Sequence, residues 1–325
     1  MSSEDVAADP GAPYRGTVMT RLKRVLLLVN PLSSRSEPYG FAELASGLFG
    51  EDAVRVHVME RLERASDVVR DFVDEGGADL VVVAGGDGTI SGAASALSGS
   101  RVPIAAVPAG TANMLAEQLG IPEEPEEAMR LAAGTHAYRD VDAMELEGRL
   151  YFLNAGAGVS SRTVAHMSDG DKRRFGRMAY WWTGVTSGLW SPPVRFRVTI
   201  DGKERDFRGI EVSLINAGFR EQPNLPGLPE VLPDDGVLDV MLVWTPTPAG
   251  YLQHLGDVVT QRRPVEPNVQ WVTARKEVRI EAGEALPVQA DGDIVTETPA
   301  VFRLLRGATR IVVPSAGRDE EATRE

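Results

Sequence analysis

The sequence of 325 residues contains no cysteine. This absence excludes disulfide bonds, thiolate metal sites and cysteine nucleophiles, and it fits the reducing environment of a cytoplasm. The chain has only four histidines, and none of them shows the paired spacing of metal ligands. No apolar run reaches the roughly 18 residues that a membrane-spanning helix needs. We therefore expect a cytoplasmic globular protein whose chemistry depends on oxygen and nitrogen side chains.

Positive charge is also in short supply. The chain has 34 Lys and Arg against 47 Asp and Glu, which gives a formal net charge of −13. Binding to nucleic acid requires a basic surface, so we expect no nucleic-acid partner. The opening residues MSSEDVAADPGAPYRG lack the basic and apolar regions of a signal peptide. Residues 1–22 and 315–325 are predicted to be disordered tails.

Apolar segments alternate with helical patterns up to about residue 135. Strands are predicted at 25–29, 54–58, 80–84 and 104–107, and helices at 41–49, 65–74, 90–97 and 112–119. This order predicts an α/β domain with a parallel sheet over residues 23–137.

The pattern changes in the second half, where short strands surround turn sequences such as EGR and Asp201-Gly202-Lys203. Strands are predicted at 140–146, 150–154, 194–200, 204–215, 237–244, 278–281, 301–305 and 310–313. The sequence therefore predicts a mostly antiparallel β-sandwich domain over residues 138–314.

Three loops that could carry chemistry follow the first, third and fourth strands. They read NPLSS (30–34), GGDGT (85–89) and PAGTAN (108–113). Because ligands of parallel sheets bind beyond the carboxyl ends of the strands, these loops are expected to form one site. Neither GxxxxGK[ST] nor a GxGxxG after the first strand is present.

The GGDGT loop contains a single carboxylate, that of Asp87, and a loop that only binds phosphate would not need it. Glycines at 85, 86 and 88 permit positive φ and close approach of backbone N–H groups, and the following helix would offer its N-terminus to an anion. Asp87 would repel a phosphate unless it held Mg²⁺ or oriented a nucleophile. The loop is therefore interpreted as a site for a metal-bound polyphosphate. A plain Gly-Asp-Gly turn after a buried strand is the alternative.

The PAGTAN loop strengthens this interpretation. Thr111 and Asn113 lie where a strand becomes a helix, so their side chains either cap the helix or contact a phosphate or ribose oxygen. Two glycine–threonine turns on neighbouring strands would form a two-sided cradle, which capping alone does not require.

With these motifs in place, most of the chain resembles the bacterial lipid kinases related to diacylglycerol kinase and sphingosine kinase. GGDGT and PAGTANMLAEQLGIP carry the resemblance first, and YFLNAGAGVSS, KRRFGRMAY, LPDDGVLDVMLV and VQADGDIV follow in the family's order. NAD kinases and phosphofructokinases resemble the GGDGT loop as well. The resemblance implies a nucleotide-binding α/β domain of the NAD kinase type, followed by a β-sandwich domain for the lipid.

The resemblance also implies roles for individual residues and the use of ATP and Mg²⁺. The residues expected to hold the nucleotide are Asn30, Ser33, Gly85, Gly86, Asp87, Gly88, Thr89, Gly110, Thr111 and Asn113. Those expected to act in catalysis are Asp293, as general base, with Asp291 and Asp87. Those expected to form a second, structural Mg²⁺ site are Asp235 and the carbonyl oxygens of Leu232 and Val237.

The chain departs from the family pattern at three places. Ser34 stands where the first loop usually ends in glycine, and Ser91-Gly92 stands in place of an Asn-Glu pair. Asp293 replaces a glutamate and is one methylene shorter. Without the resemblance, Asp291 and Asp293 would be interpreted as a solvated hairpin turn.

The expected activity is phosphorylation of a hydroxyl on a membrane lipid, with diacylglycerol as the leading acceptor and a sphingoid base or another lipid alcohol behind it. The alternatives are a soluble-substrate kinase of the NAD kinase type, or a catalytically weak nucleotide- or lipid-binding protein. Residues 172–190 combine a basic start with an apolar stripe at helical spacing. This segment either makes a transient contact with the inner membrane face or packs on the sandwich.

Overall fold

The structure is a computed structural model that describes residues 22–166, 192–217, 230–244 and 269–315. The segment 172–190 and the predicted tails 1–21 and 316–325 lie outside the described residues.

The first half forms the predicted parallel arrangement. Its strands are β1 (Val25–Val29), β2 (Val54–Val58), β3 (Leu80–Gly85) and β4 (Ile104–Pro108). Every residue of β1, β3 and β4 is buried, because helices cover both faces of these central strands. The edge strand β2 is partly exposed. The helices are α1 (Pro38–Phe49), α2 (Ala65–Asp74), α3 (Asp87–Ala96), α4 (Met114–Gln118) and α5 (Pro125–Ala133).

The second half is mostly strands, with one described helix, α6 (Val159–His166). Its described strands up to residue 215 are β5 (Ala137–Leu146), β6 (Arg149–Tyr151), β7 (Asn154–Gly158), β8 (Val194–Ile200), β9 (Lys203–Gly209) and β10 (Glu211–Ile215). The remaining strands are β11 (Leu238–Val243), β12 (Val269–Ala274), β13 (Glu277–Ala282), β14 (Pro287–Ala290), β15 (Asp293–Glu297) and β16 (Ala300–Val313).

The described strands form two sheets. Sheet A has ten strands in the order β2-β1-β3-β4-β16-β13-β8-β9, with β5 paired to β16 and β6 to β5. Sheet B has six antiparallel strands in the order β12-β11-β10-β7-β14-β15. One apolar cluster fills the α/β half, and a second lies between the sheets, with Phe196 and Phe302 fully buried. The predicted fold class is therefore confirmed.

Four predicted strands were wrong in their limits. The strand predicted at 204–215 is two strands in different sheets, β9 and β10. The strands predicted at 301–305 and 310–313 are one long strand, β16, with an irregularity between Leu305 and Thr309. The strand predicted at 150–154 ends at Tyr151, and a new strand begins at Asn154. The domain limits 23–137 and 138–314 stay a prediction, since sheet A contains strands from both ranges.

Candidate functional site

The loops after β1, β3 and β4 lie together at the carboxyl edge of sheet A. The Asn30 side chain donates to the Thr89 hydroxyl at 2.9 Å, and Ala109 N–H donates to Gly85 C=O at 2.9 Å. The Arg35 N–H donates to the Ala109 carbonyl at 2.9 Å. These bonds join the three loops into one surface, as the strand order predicted. We call the loops 85–89 and 110–113 the cradle.

Glycine is required in the cradle because two backbones touch. A Cβ built on Gly110 would lie 2.4 Å from the Gly86 Cα, closer than any real side chain allows. A Cβ on Gly85 would lie 2.7 Å from the Thr89 Cβ, whereas one on Gly88 meets nothing within 4 Å. None of these four glycines adopts positive φ. The expected close approach is thus present, while the expected positive φ is not.

Asp87 has a partner that the sequence did not predict. Its carboxylate accepts the Leu115 N–H at 3.2 Å and so caps the first turn of α4. Burial raises the pKa of Asp87, although hydrogen bonds from the backbone of 113–115 lower it. The Asp87 carboxylate therefore links the 85–89 loop to the helix that follows the 110–113 loop.

Other predicted nucleotide residues are engaged with the backbone of the loops. The buried Asn113 adopts φ 51°, accepts the Gly110 N–H at 3.0 Å and donates to Gly110 C=O at 2.9 Å. Asn30 Oδ1 accepts the Leu32 N–H at 3.0 Å, and Ser33 N–H donates to Asn30 C=O. Thr111 is exposed. Contact with a nucleotide stays a prediction for all of them.

Asp291 lies in the hairpin turn between β14 and β15, and it is not solvated as a plain turn would be. Its carboxylate accepts the N–H groups of Phe152 at 2.9 Å, Leu153 at 2.9 Å and Asn154 at 3.2 Å. Burial raises the pKa of Asp291 to about 6, against the effect of these bonds. Asp293 follows the turn as the first residue of β15, and its side chain is exposed. We call residues 291–293 the Asp291 turn.

Ser91 lies where the α/β half meets the Asp291 turn. It belongs to α3, the helix that begins in the GGDGT loop, and its nearby hydroxyl lowers the pKa of Asp291. The buried Ser91 hydroxyl completes no hydrogen bond with the described residues. The serine that replaces the family's asparagine therefore lies next to one of the predicted catalytic carboxylates.

Two amide side chains beside the turn were missed by sequence reasoning. Gln289 is buried, accepts the Gly292 N–H at 3.2 Å and donates to Asn154 Oδ1 at 2.9 Å. Asn154 lies within the quoted motif YFLNAGAGVSS, and Gln289 within VQADGDIV. The order of the motifs was the only signal, because no spacing rule links residues so far apart.

The loop 232–237 contains the oxygen ligands predicted for the second Mg²⁺ site, which are the Asp235 carboxylate and the carbonyl oxygens of Leu232 and Val237. Asp235 Oδ1 accepts the Val237 N–H at 3.0 Å, and burial together with the Asp235 charge raises the pKa of the buried Asp239 to about 6. Mg²⁺ bound to oxygen ligands would offset this repulsion. In the described ranges, no group of three or more His, Cys, Asp or Glu side chains is arranged to hold a metal ion. A metal here would therefore depend on the predicted carbonyl oxygens, including that of the exposed Leu232.

This loop adjoins the cradle half. Gln118 at the end of α4 donates to the Val231 carbonyl. Asp142 on β5 accepts the N–H groups of Gly236 and Gly307, both at 2.7 Å.

Among the described helices, none is long and apolar enough to cross a membrane.

Comparison with known proteins assigns the family. Residues 24–146 match the diacylglycerol kinase catalytic domain, and residues 154–313 match the YegS C-terminal NAD kinase beta sandwich-like domain. A protein of Pseudomonas aeruginosa named "Probable lipid kinase YegS-like" is 31% identical over 297 residues, which is 90% of this chain and 95% of that protein. A diacylglycerol kinase crystal structure from Bacillus anthracis has a TM-score of 0.72 at 23% identity and covers 91% of this chain. That structure supports the fold.

The two matches together span most of the sequence in the predicted order. The chain belongs to the lipid kinase family that joins a diacylglycerol kinase catalytic domain to a YegS-type C-terminal domain. The expected enzyme class, a lipid kinase, is thereby confirmed.

Proposed function

We propose that this protein transfers the γ-phosphoryl group of ATP to a hydroxyl of a membrane lipid, with diacylglycerol as the leading acceptor. The Ser95 hydroxyl of α3 donates to the Leu150 carbonyl at 3.2 Å, and the Phe152 N–H two residues later donates to the Asp291 carboxylate at 2.9 Å. This link between α3 and the Asp291 turn is the observation that carries the proposal. It brings the turn that contains Asp293 against the helix that begins in the GGDGT loop. A carboxylate and a phosphate cradle on facing elements are the parts that phosphoryl transfer needs.

The roles follow from the chemistry of each part. Backbone N–H groups of the cradle and the N-terminus of α3 would bind the phosphates of ATP. Asp293 would accept the proton of the lipid hydroxyl as it attacks, and Asp291 would hold the turn in place. Mg²⁺, when bound, neutralises charge on the phosphates. Most of the rate would come from positioning.

We propose a cytoplasmic protein that visits the inner membrane face to reach its substrate. The support for this is the lipid kinase family itself and the predicted interfacial stripe at 172–190, which lies outside the described residues. A sphingoid base or another lipid alcohol is the second choice of acceptor.

The test measures transfer of labelled γ-phosphate to total lipid extract in mixed micelles with Mg²⁺. Asp293→Asn removes the proton acceptor and is expected to lower kcat by about 10²- to 10⁴-fold. Asp293→Glu restores the family's longer side chain and is expected to keep activity. Glu297→Gln removes a charge from an exposed position at the other end of β15, so it serves as the matched control.

Labelled lipid that is lost in Asp293→Asn and kept in Glu297→Gln supports the proposal, and the mobility of that lipid identifies the acceptor class. If no lipid is labelled, the assay is repeated with NAD as the acceptor, and labelled NAD would then support the soluble-substrate kinase. ATP binding without any transfer would support the binding protein.

A further inference from the structure

Residues 152–154 connect β6 to β7 and are held from two sides. All three of their N–H groups point to the Asp291 carboxylate. The Asn154 carbonyl accepts the Asp291 N–H at 2.8 Å. These peptide units therefore supply most of the hydrogen bonds that fix Asp291.

The other two carbonyls of this segment point to residues 216 and 217, directly after β10. The Asn216 side chain donates to Phe152 C=O at 2.9 Å. The backbone N–H groups of Asn216 and Ala217 donate to Leu153 C=O at 2.8 and 3.0 Å. Since a peptide group is planar, fixing its carbonyl also fixes the direction of the next N–H. The Phe152 carbonyl thus determines where the Leu153 N–H points.

The Asn216 carboxamide reaches further than this segment. Its Nδ2 also donates to Asp142 C=O at 2.9 Å, and Asp142 holds the backbone of the 232–237 loop through Gly236. Because carbonyl oxygens only accept hydrogen bonds, the side-chain atom of Asn216 that faces the two carbonyls must be the amide nitrogen, Nδ2. The other side-chain atom, Oδ1, therefore points in the opposite direction. That oxygen is fully buried and has no partner among the described residues, which is costly for stability. A costly buried amide is expected where its donors serve a site.

We propose that Asn216 is a positioning residue, whose carboxamide fixes the 152–154 segment so that its N–H groups hold the Asp291 turn for phosphoryl transfer. The catalytic part of this inference rests on the proposed function. The structural part does not, because the hydrogen bonds are independent of the reaction.

The test compares Asn216→Leu, which keeps the size and removes the donors, with Thr309→Val. Thr309 is also buried and donates one side-chain hydrogen bond at 2.8 Å, which goes to the Ala94 carbonyl rather than to the 152–154 segment. Hydrogen–deuterium exchange of peptides that cover 152–154 is measured in the full chain without ligand. Exchange is expected to be about tenfold faster or more in Asn216→Leu, as expected for losing a hydrogen bond, and unchanged in Thr309→Val.

Measurements of kcat and KM distinguish a positioning role of Asn216 from a general loss of protein stability. Asn216→Leu is expected to lower kcat on the order of 100-fold, with KM for ATP unchanged, because the Asn216 side chain donates its hydrogen bonds to residues 142 and 152 rather than to the cradle. If Asn216→Leu fails to fold, Asn216→Ser replaces it and is expected to show the same effects in smaller degree.

Unchanged exchange at 152–154 in a folded Asn216 variant would overturn the proposal. Faster exchange with an unchanged kcat would overturn its catalytic part. If wild type transfers no phosphate to lipid, the proposed function fails, and exchange alone then decides whether Asn216 positions the turn.

Discussion

At the residue scale, two hairpin turns of the same Asp-Gly sequence shift the pKa of their aspartates in opposite directions. Asp201-Gly202 and Asp291-Gly292 each join two strands with positive φ at both positions, as a two-residue hairpin turn requires. Each aspartate accepts three backbone N–H groups from a neighbouring connection. At the exposed Asp201, a modest burial effect is outweighed by these bonds, so its pKa is lowered. At Asp291, burial dominates and raises the pKa.

Two substitutions of Asp87 separate its proposed role in catalysis from its role as a cap on α4. Asp87→Ala removes both the charge and the cap on α4, so we expect activity to be lost and stability to fall by about 1 kcal/mol. Asp87→Asn keeps an oxygen that can accept the Leu115 N–H. We expect it to lose activity and to retain most of the stability. Lipid phosphorylation and thermal unfolding measure the two effects.

A loss of stability in Asp87→Asn as large as that in Asp87→Ala would contradict the capping role. Near-normal activity in Asp87→Asn would remove the carboxylate charge from the mechanism. The sequence predicted roles for Asp87 in nucleotide binding and catalysis but not the cap, because capping of one helix by a loop 28 residues earlier leaves no local pattern.

At the element scale, strands were predictable where burial alone determines the pattern. The apolar strands of sheet A before residue 110 were predicted within one residue of their observed limits, since helices cover both of their faces. The crossing from sheet A to sheet B was not predicted. It occurs at Gly209, where an added Cβ would lie 2.3 Å from the Val243 carbonyl oxygen. A glycine inside a strand pattern was the available signal.

The strand β7 was missed for a related reason. Its sequence NAGAG has low strand propensity, and its glycines are required because the backbone at residues 210–212 lies too close for a side chain. A Cβ on Gly156 would lie 2.7 Å from the Val212 carbonyl oxygen, and one on Gly158 would lie 2.2 Å from the Ile210 carbonyl oxygen. Such a constraint depends on a contact between distant residues, so sequence reasoning could place the motif in order but could not assign its structure.

Glu211 attaches α6 to sheet B and makes that contact sensitive to pH. Its buried carboxylate accepts the Ser160 N–H at 2.9 Å and the hydroxyls of Ser160 and Ser213, both at 2.6 Å. Burial raises its pKa from 4.5 to about 7, despite these bonds. The folded protein thus binds this proton more tightly than the unfolded chain, so stability from this group decreases as pH rises from about 4.5 to about 7.

Glu211→Gln removes this titration. We expect the unfolding free energy of wild type, relative to that of the variant, to fall on the order of 3 kcal/mol between about pH 5 and pH 8. Denaturant titrations at both pH values measure the difference, with the exposed Glu297→Gln as control. The same difference at both pH values would show that Glu211 does not titrate in this range.

At the scale of the whole molecule, the last strand joins the two halves. The strand β16 pairs with β4 of the parallel region and with β5 and β13 of the sandwich. Its later residues, including Ile311, belong to the apolar cluster of the α/β half. Its earlier residues, including Phe302, belong to the cluster between the sheets. Since one strand contributes to both cores, we expect the two halves to unfold together.

Two truncations on β16 test this expectation. Phe302→Ala and Ile311→Ala each leave a cavity in a different cluster, and they should destabilise the protein by about 3–5 and 2–5 kcal/mol. Scanning calorimetry should show one transition in wild type, and each variant should shift all of it. Leu305→Ala, at a position 37% exposed on the same strand, should change stability by no more than about 0.5 kcal/mol.

Two calorimetric transitions, of which Ile311→Ala lowers only one and Phe302→Ala only the other, would contradict this coupling. That result would make the predicted ranges 23–137 and 138–314 separate folding units. A single shared transition would instead mean that the cradle and the Asp291 turn are held by one cooperative structure. The distance between them would then depend on β16 as well as on the hydrogen bonds at residues 152–154.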